Sequence, residues 1–185
     1  MRRSHIKKEI FYKERDEAER KAFVDELSQI TEDTDVIYVD ECGVQKEMNP
    51  IRGRAKRGVK IYQETTGKRH KKDNVISGYL NGLVLALHVY AWATDRVWIC
   101  EWFEFCLIPT LRPKSVIVMD NAAFHSKVFL PIIAEAYGHK ILWLPKYSPD
   151  LNPIEHVWAN MKSWLRNYSK NYVNIRLAIA DHCHS

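Results

Sequence analysis

The sequence predicts an α/β domain in which a mixed sheet is flanked by helices. The apolar, mostly β-branched run Val116–Met119 is typical of a strand buried on both faces, and it ends at Asp120. The dipeptide Asn81-Gly82 stands between two apolar runs, which is the strongest short signal for a β-hairpin. A length of 185 residues suits one domain with a sizeable core.

The first part of the chain is polar and charge-dense. Apolar residues recur at helical spacing there and predict an amphipathic helix over residues 13–29, with a face made of Ala18, Phe23, Leu27 and Ile30. We therefore expect residues 1–34 to be a helical linker or N-terminal extension and residues 35–185 to form the α/β domain.

Three strands are predicted before the first long helix. The first covers residues 35–43, and the hairpin strands cover residues 74–80 and 83–90. The chain between them is predicted to be irregular apart from one short strand, with a loop over residues 49–58, the strand over 59–64 and a turn over 65–72. The sheet thus begins with antiparallel strands.

The aromatic-rich stretch at residues 94–111 is predicted to be a largely buried helix that stops near Pro109. A base-stacking platform is the alternative interpretation of its aromatic residues, but packing against the sheet is favoured. The later elements are the strand ending at Asp120, a helix from Ser126, a strand over 141–144, a helix over 153–168 and a short helix over 176–180.

Two carboxylates of this second half are predicted to meet. Asp120 follows a buried strand, at the edge where open α/β sheets carry their sites. The segment 145–153 contains three prolines and predicts a stiff connection, after which Asn152 is expected to cap a helix with Pro153 in its first turn. Glu155 then lies in that first turn, close to the same sheet edge.

The sequence of these segments resembles that of a known family. The pattern D-N-x-x-x-H after an apolar strand, followed by L-P-x-Y-S-P-D-L-N-P-I-E-x-x-W, is similar to the DDE transposases of the Tc/mariner and insertion-sequence superfamily. The resemblance covers about residues 35–168. It implies an RNase H-like fold, with antiparallel strands first and parallel strands after them, and it makes Asp40, on the first strand, the family's first acid.

The resemblance implies that Asp40, Asp120 and Glu155 are the catalytic residues and the metal ligands. Three converging carboxylates repel each other and raise their own pKa values unless a cation lies between them. Oxygen ligands suit Mg²⁺, with Mn²⁺ as a substitute, and two such ions per site can promote in-line phosphoryl displacement. Glu41 is expected to point away from this site, because side chains alternate along a strand, and to be structural.

Other side chains near the acids are candidates for supporting or DNA-binding roles. Asn121 would orient Asp120 or bind a phosphate, and His125 would donate to the site, contact DNA or cap a helix. Further candidates for contact with DNA are His156, Lys162, Arg166, Arg54, Lys56 and Arg57.

A formal net charge of +5 favours a polyanionic partner. Its distribution is more informative, since basic residues cluster at 52–60 and again at 68–72. These clusters are either solvated hairpin loops or phosphate contacts beside the site, and the sequence alone leaves both interpretations open.

Several classes of protein and site are disfavoured. No apolar run approaches the length of a membrane span, and the basic N-terminus leads into no signal region. The four cysteines show no paired spacing and are expected to be reduced. The run His182-Cys183-His184 is too tight for one tetrahedral zinc site.

The resemblance implies a transposase catalytic domain that cleaves DNA at transposon ends and joins the 3′ ends to target DNA. Its expected partners are DNA, a second copy in a homodimer or larger assembly, and a helix-turn-helix polypeptide encoded upstream. We expect a cytoplasmic, nucleoid-associated protein of prokaryotic origin. The alternatives are an RNase H-like nuclease or integrase without transposition activity, and an inactive or truncated remnant that binds only DNA or a partner.

Overall fold

A five-stranded sheet forms the centre of the computed structural model, which describes residues 14–45, 60, 62 and 72–184. The strand order is β3-β2-β1-β4-β5. The strands are β1 (Val36–Gln45), β2 (Lys72–Leu80), β3 (Leu83–Tyr90), β4 (Val116–Met119) and β5 (Lys140–Trp143). The helices are α1 (Glu17–Ser28), α2 (Arg96–Trp102), α3 (Phe129–Ala136), α4 (Ile154–Tyr168) and α5 (Ile175–His184).

The sheet is mixed as predicted. Strands β1, β2 and β3 are antiparallel neighbours, whereas β4 pairs with β1, and β5 with β4, in parallel. Parallel strands need crossover connections, which α2 and α3 provide on one face. This order, with three antiparallel strands followed by two parallel ones, confirms the RNase H-like fold class.

One face of the sheet is covered by α2, α3 and the helical turns after α2. Buried Ile37, Val39 and Ile117 of the sheet belong to one cluster with Trp102 and Phe103. The predicted helix at residues 94–111 is present, but only α2 is α-helical. A π-helical turn (Phe103–Leu107) and a 3₁₀ turn (Ile108–Thr110) complete it. Its aromatic residues are mainly core, as the packing interpretation predicts.

The opposite face is covered by α4, α5 and α1. Trp158, Met161 and Leu165 recur along α4 at helical spacing and are buried against β1, β2 and α5. Helix α1 packs beside them through Phe23, which belongs to a cluster with residues of β4 and β5. The guanidinium of Arg20 also forms a bidentate pair with Asp150, at 2.7 and 3.1 Å, which ties α1 to the connection before α4.

The hairpin at Asn81-Gly82 is confirmed. Both residues have positive φ, 46° and 95°, as the tight turn requires, and Leu80 pairs with Leu83 across it. Predicted bounds elsewhere shift by a few residues. Helix α3 begins at Phe129, whose backbone N–H donates to the hydroxyl of Ser126, and α5 is longer than the predicted residues 176–180.

Some predictions lie outside the described residues. They are the loop at 49–58, most of the short strand at 59–64 and all of the turn at 65–72 except Lys72. Lys60 and Tyr62 are described and neither is in a strand, and Lys72 begins β2 instead of ending the turn. Among the described helices, none combines the length and apolar character needed to cross a membrane.

Truncating Phe23 tests whether α1 is part of the folded unit. This side chain is 4% exposed, and Phe→Ala in a core typically costs about 3–5 kcal/mol of unfolding free energy. We expect Phe23→Ala to lower the free energy of unfolding by about 3 kcal/mol in urea titrations. The control is Val24→Ala, which removes a side chain that is 45% exposed and should change stability by less than about 0.5 kcal/mol. Equal small effects would show that α1 does not pack on the sheet.

Candidate active site

A cavity of about 390 Å³ opens at the edge of the sheet where β1 and β4 place their acids. Asp40, Asp120 and Glu155 all line it, so the structure brings the three predicted acids to one place. The rest of the lining comes from the turn after β4 and the connection before α4, namely Asn121, Ala122, Leu144, Pro145, Lys146, Tyr147, Ser148, Pro149 and Asn152.

Backbone pairing places the first two acids side by side. Val39 of β1 pairs with Met119 of β4 in parallel register. Asp40 follows Val39 within β1 and Asp120 follows the end of β4, so the two aspartates lie side by side. Glu155 arrives from a different direction, in the first turn of α4, and it is exposed. The three acids therefore belong to three separate elements, with the sheet fixing two of them and the helix carrying the third.

Trp158 joins α4 to the first acid. Its indole Nε1–H donates to Asp40 Oδ2 at 3.0 Å, and the side chain is 2% exposed. A buried indole N–H needs an acceptor, and here a carboxylate supplies it. Since Trp158 lies three residues after Glu155, this bond also sets the position of Glu155 relative to Asp40.

His125 joins two carboxylates. Its Nδ1 is 2.8 Å from Asp120 Oδ1 and its Nε2 is 2.9 Å from Glu41 Oε1. The imidazole is fully buried, which excludes direct contact with DNA in this conformation. Three roles were predicted for His125, and the structure supports the one in which it donates a hydrogen bond to Asp120.

Burial and charge act differently on the two aspartates. Desolvation, together with the smaller effects of the charges of Glu41, Glu155 and Asp120, raises the pKa of Asp40 to about 7. Burial acts in the same direction on Asp120, but hydrogen bonds from His125 and the Ala122 N–H outweigh it and lower the pKa of that carboxyl. The expectation that repulsion raises the pKa values of the acids therefore holds for Asp40 and is wrong for Asp120.

Hydrogen bonds to two carboxylates keep His125 protonated. Burial alone would lower its pKa, but the bonds to Asp120 and Glu41 raise it to about 10. At neutral pH the imidazolium therefore lies between two carboxylates and donates to both. One positive charge is thus already built into the otherwise acidic edge of the sheet.

The two asparagines of the cavity do not make the contacts within the protein that were predicted for them, and a phosphate contact of Asn121 stays a prediction. Asn121 does not bond Asp120, because its amide donates to the carbonyl of Leu144 at 2.6 Å and so joins the ends of β4 and β5. The side chain of Asn152 makes no capping bond, and α4 begins at Ile154 after an uncapped Pro153. The Oδ1 atoms of both asparagines are buried without a hydrogen-bond partner within the described residues. The predicted cap at Asn152 is wrong.

The other predicted DNA contacts lie away from the cavity lining. His156 is exposed and Lys162 and Arg166 are half-buried on α4, in the turns beyond Glu155. Asp150, in the connection before α4, pairs with Arg20, and this pairing lowers the pKa of Asp150. Arg54, Lys56 and Arg57 lie outside the described residues.

Within the described ranges, no three His, Cys, Asp or Glu side chains are arranged closely enough to form a ready metal cluster. The acids share the cavity without converging on one point. At the C-terminus His182 stacks on Trp164, with ring centroids 4.9 Å apart.

Sequence reasoning missed two residues of the site. Glu41 does point away from Asp40, as alternation predicts, yet it reaches the site through His125. Trp158 was identified only as the last residue of the sequence motif. The signals were available, because a carboxylate and an indole that are both predicted to be buried each need a hydrogen-bonding partner.

Residues 35–176 match the family model described as DDE superfamily endonuclease. The chain belongs to this family. The match covers all three acids of the cavity, α4 and the start of α5. It begins at the residue before β1.

Solved structures share the fold of this DDE endonuclease domain. The catalytic domain of Mos1 mariner transposase matches with a TM-score of 0.58 at 15% identity, over 86% of this chain and 75% of that one. A Mos1 transposase paired-end complex with the left transposon end matches with a TM-score of 0.66 at 16% identity, over 87% and 53% of the two chains. A mariner Mos1 paired-end complex with Mg gives 0.67 at 14% identity, over 99% and 64%. This chain thus spans about half the length of the transposase in the left-end complex.

The opposite pKa shifts predict opposite effects of two isosteric changes. Because folding raises the pKa of Asp40 from 3.8 to about 7, this group favours the folded state below about pH 4 and loses that contribution as the pH rises to about 7. Asp120, whose pKa is lowered, contributes stability above its ordinary pKa and loses it in acid.

At pH 8 in chelator we therefore expect the free energy of unfolding of Asp40→Asn to be about 2 kcal/mol higher than that of wild type. Asp120→Asn should lose about 1 kcal/mol, since half of that side chain is exposed. Urea titrations from pH 4 to pH 8 measure both, and the gain in the Asp40 variant should vanish near pH 4. Changes of the same sign in the two variants would contradict the charge arrangement described.

Proposed function

We propose that this chain is the catalytic domain of a DDE transposase, which cleaves phosphodiester bonds at transposon ends and joins the freed 3′-hydroxyl to target DNA. The observation that carries the proposal is the meeting of Asp40, Asp120 and Glu155 in one cavity, although they come from β1, β4 and α4. Membership of the DDE endonuclease family supports it, as does a fold shared with the catalytic domain of Mos1 mariner transposase.

The donor set fits divalent magnesium. All three acids offer oxygen ligands, and burial together with the neighbouring carboxylates raises the pKa of Asp40, a penalty on its charged form that a bound cation would relieve. Asp40 would be shared, with Asp120 and Glu155 completing the sites. When bound, two Mg²⁺ ions, or Mn²⁺ in their place, would supply Lewis-acid activation of the attacking and leaving oxygens. The Mos1 complex solved with Mg supports this choice of metal.

The protein's own contribution is to position and to bind. Trp158 holds Asp40 through Oδ2, and His125 holds Asp120 through Oδ1, so neither carboxylate has to reorganise when substrate arrives. Lys146 lines the cavity and offers a positive charge to a phosphate beside the acids. No side chain need form a covalent bond with DNA, because water and the 3′-hydroxyl are the attacking groups.

DNA is the proposed macromolecular partner, with His156, Lys162, Arg166, Arg54, Lys56 and Arg57 as candidate contacts. A paired-end complex among the structures that share this fold supports DNA binding and assembly as a homodimer or larger complex on DNA. We propose that residues 1–34 are a linker to a helix-turn-helix region or polypeptide and that residues 35–185 are catalytic. Such a protein would act in the cytoplasm of a prokaryote, at the nucleoid.

Alanine at any of the three acids should abolish cleavage. We expect Asp40→Ala, Asp120→Ala and Glu155→Ala to lower the rate of plasmid relaxation in Mg²⁺ or Mn²⁺ by at least about a thousandfold, because each removes a ligand of the reacting centre. The control is Glu135→Ala, which removes an exposed carboxylate of α3 away from the cavity and should leave the rate unchanged. Full activity in Glu155→Ala would overturn the assignment. A remnant that only binds DNA would show no metal-dependent cleavage in wild type.

The basic residues of α4 should act through phosphates. We expect Arg166→Ala to weaken binding to duplexes of unrelated sequence to the same extent and to reduce the slope of log K against log salt by about 1. Lys140→Ala is the control, because Lys140 begins β5, at the opposite end of that strand from the cavity, and pairs with Glu26. Fluorescence anisotropy at several salt concentrations measures both. An unchanged slope in Arg166→Ala would remove α4 from the DNA-binding surface.

A further inference from the structure

A buried hydrogen-bonded chain runs from β1 to Asp120 and ends at the cavity. Glu41 Oε1 accepts from His125 Nε2 at 2.9 Å, and His125 Nδ1 donates to Asp120 Oδ1 at 2.8 Å. Along the chain the side chain of Glu41 is 11% exposed, that of His125 0% and that of Asp120 46%. The chain thus begins in the protein interior and ends at the half-exposed acid of the site.

This hydrogen-bonded chain of side chains passes from one face of the sheet to the other. Glu41 alternates with Asp40 along β1 and so lies on the face covered by α2 and α3, with Val39, whereas Asp40 faces α4. His125 follows the end of β4 and lies at the edge between the two faces. Glu41 therefore has no direct access to the cavity, and its path to Asp120 is through the imidazole.

The hydrogen bonds select one oxygen of Asp120. Both the His125 ring and the Ala122 backbone N–H donate to Oδ1, which leaves Oδ2 to face a ligand in the cavity. A second contact of His125 Nδ1, to the Asp120 carbonyl at 3.1 Å, fixes the ring against the backbone of the same residue. The orientation of the carboxylate is thus set by the orientation of the ring.

We propose that Glu41 is a positioning residue for the metal site. It fixes the His125 ring, which in turn holds the Asp120 carboxylate in the orientation that binds a divalent cation. This inference rests on the proposed function, in which Asp120 is a metal ligand. Partners that orient the ligands of a metal typically change its affinity by about ten- to a hundredfold when removed.

A purely structural ion pair would give a different result. A buried carboxylate is costly unless it is paired, so the Glu41–His125 contact is also needed to fold this edge of the sheet without an unpaired charge. Loss of a structural pair would lower the melting temperature without changing metal affinity in the folded protein. Metal affinity, measured below the melting transition, therefore separates the two roles.

The experiment measures Mn²⁺ binding without DNA, by the electron paramagnetic resonance signal of free Mn²⁺. We expect Glu41→Ala to raise the Kd for Mn²⁺ by about ten- to a hundredfold. Glu41→Gln keeps an acceptor oxygen for His125 Nε2 and should remain within about threefold of wild type. The matched control is Asp73→Asn, since Asp73 is a buried acid of β2 that pairs with Arg176 at 3.4 Å and does not line the cavity. It should leave the Kd unchanged.

His125→Phe provides a second route, because it keeps a ring beside Phe124 while removing both donors. It should weaken Mn²⁺ binding as much as Glu41→Ala, and the double variant should be no weaker than His125→Phe alone, since both changes break one chain. Glu41→Ala should also lower the cleavage rate at saturating DNA while leaving the Kd for DNA in chelator unchanged.

The outcomes separate the two proposals. If Asp120→Ala loses Mn²⁺ binding and both Glu41→Ala and His125→Phe bind it as wild type does, Glu41 is not a positioning residue and the proposed function stands. Equal losses in Glu41→Gln and Glu41→Ala would also overturn the positioning role, because that role needs only an acceptor. If wild type binds no Mn²⁺ in the cavity, or Asp120→Ala binds it unchanged, the proposed function fails and the positioning role fails with it.

Discussion

The site depends on the parallel pairing of β1 with β4. The register that places Val39 opposite Met119 puts Asp40 and Asp120 at the same sheet edge, and α4 brings Glu155 to them. Burying a carboxylate beside other carboxylates opposes folding, and the pKa of Asp40 is raised mainly by this burial and further by the neighbouring charges. Much of the remaining structure around the cavity can be understood as the support that keeps these carboxylates in place.

Two buried aromatic side chains provide this support. Trp158 reaches Asp40 from α4, and His125 reaches Asp120 from the turn after β4. Each belongs to a packed cluster or contacts one, so the orientation of the acids is tied to the core. The bidentate pair of Arg20 with Asp150 extends this support to α1, which fixes the connection that forms one wall of the cavity.

Sequence patterns predict the fold well because they report local properties. Alternation, the Asn-Gly hairpin and the buried apolar runs depend on neighbours in the chain, and they predict the strand order through the family resemblance. The three acids follow from the same motifs. Pairing between distant residues is not local, which is why the contacts of Glu41 with His125 and of Trp158 with Asp40 were not predicted.

The errors have physical causes. Asparagine is a residue type that favours helix caps, but Pro153 takes the cap position of α4. The side chain of Asn152 is buried at the cavity instead. Repulsion between the acids predicts a raised pKa for Asp120, but burial is what raises it, and hydrogen bonds from His125 and the Ala122 N–H outweigh that effect. In both cases the folded structure gives the side chain different neighbours from those that the sequence alone would assign.

The central claim is that the three acids form one cation-binding site, and a crystal structure in saturating Mn²⁺ tests it most directly through anomalous scattering. We predict anomalous peaks inside the cavity, with oxygen atoms of Asp40, Asp120 and Glu155 at about 2.0–2.6 Å from the ions. An ordered cavity without a peak, or a peak that contacts none of the three acids, would contradict the account.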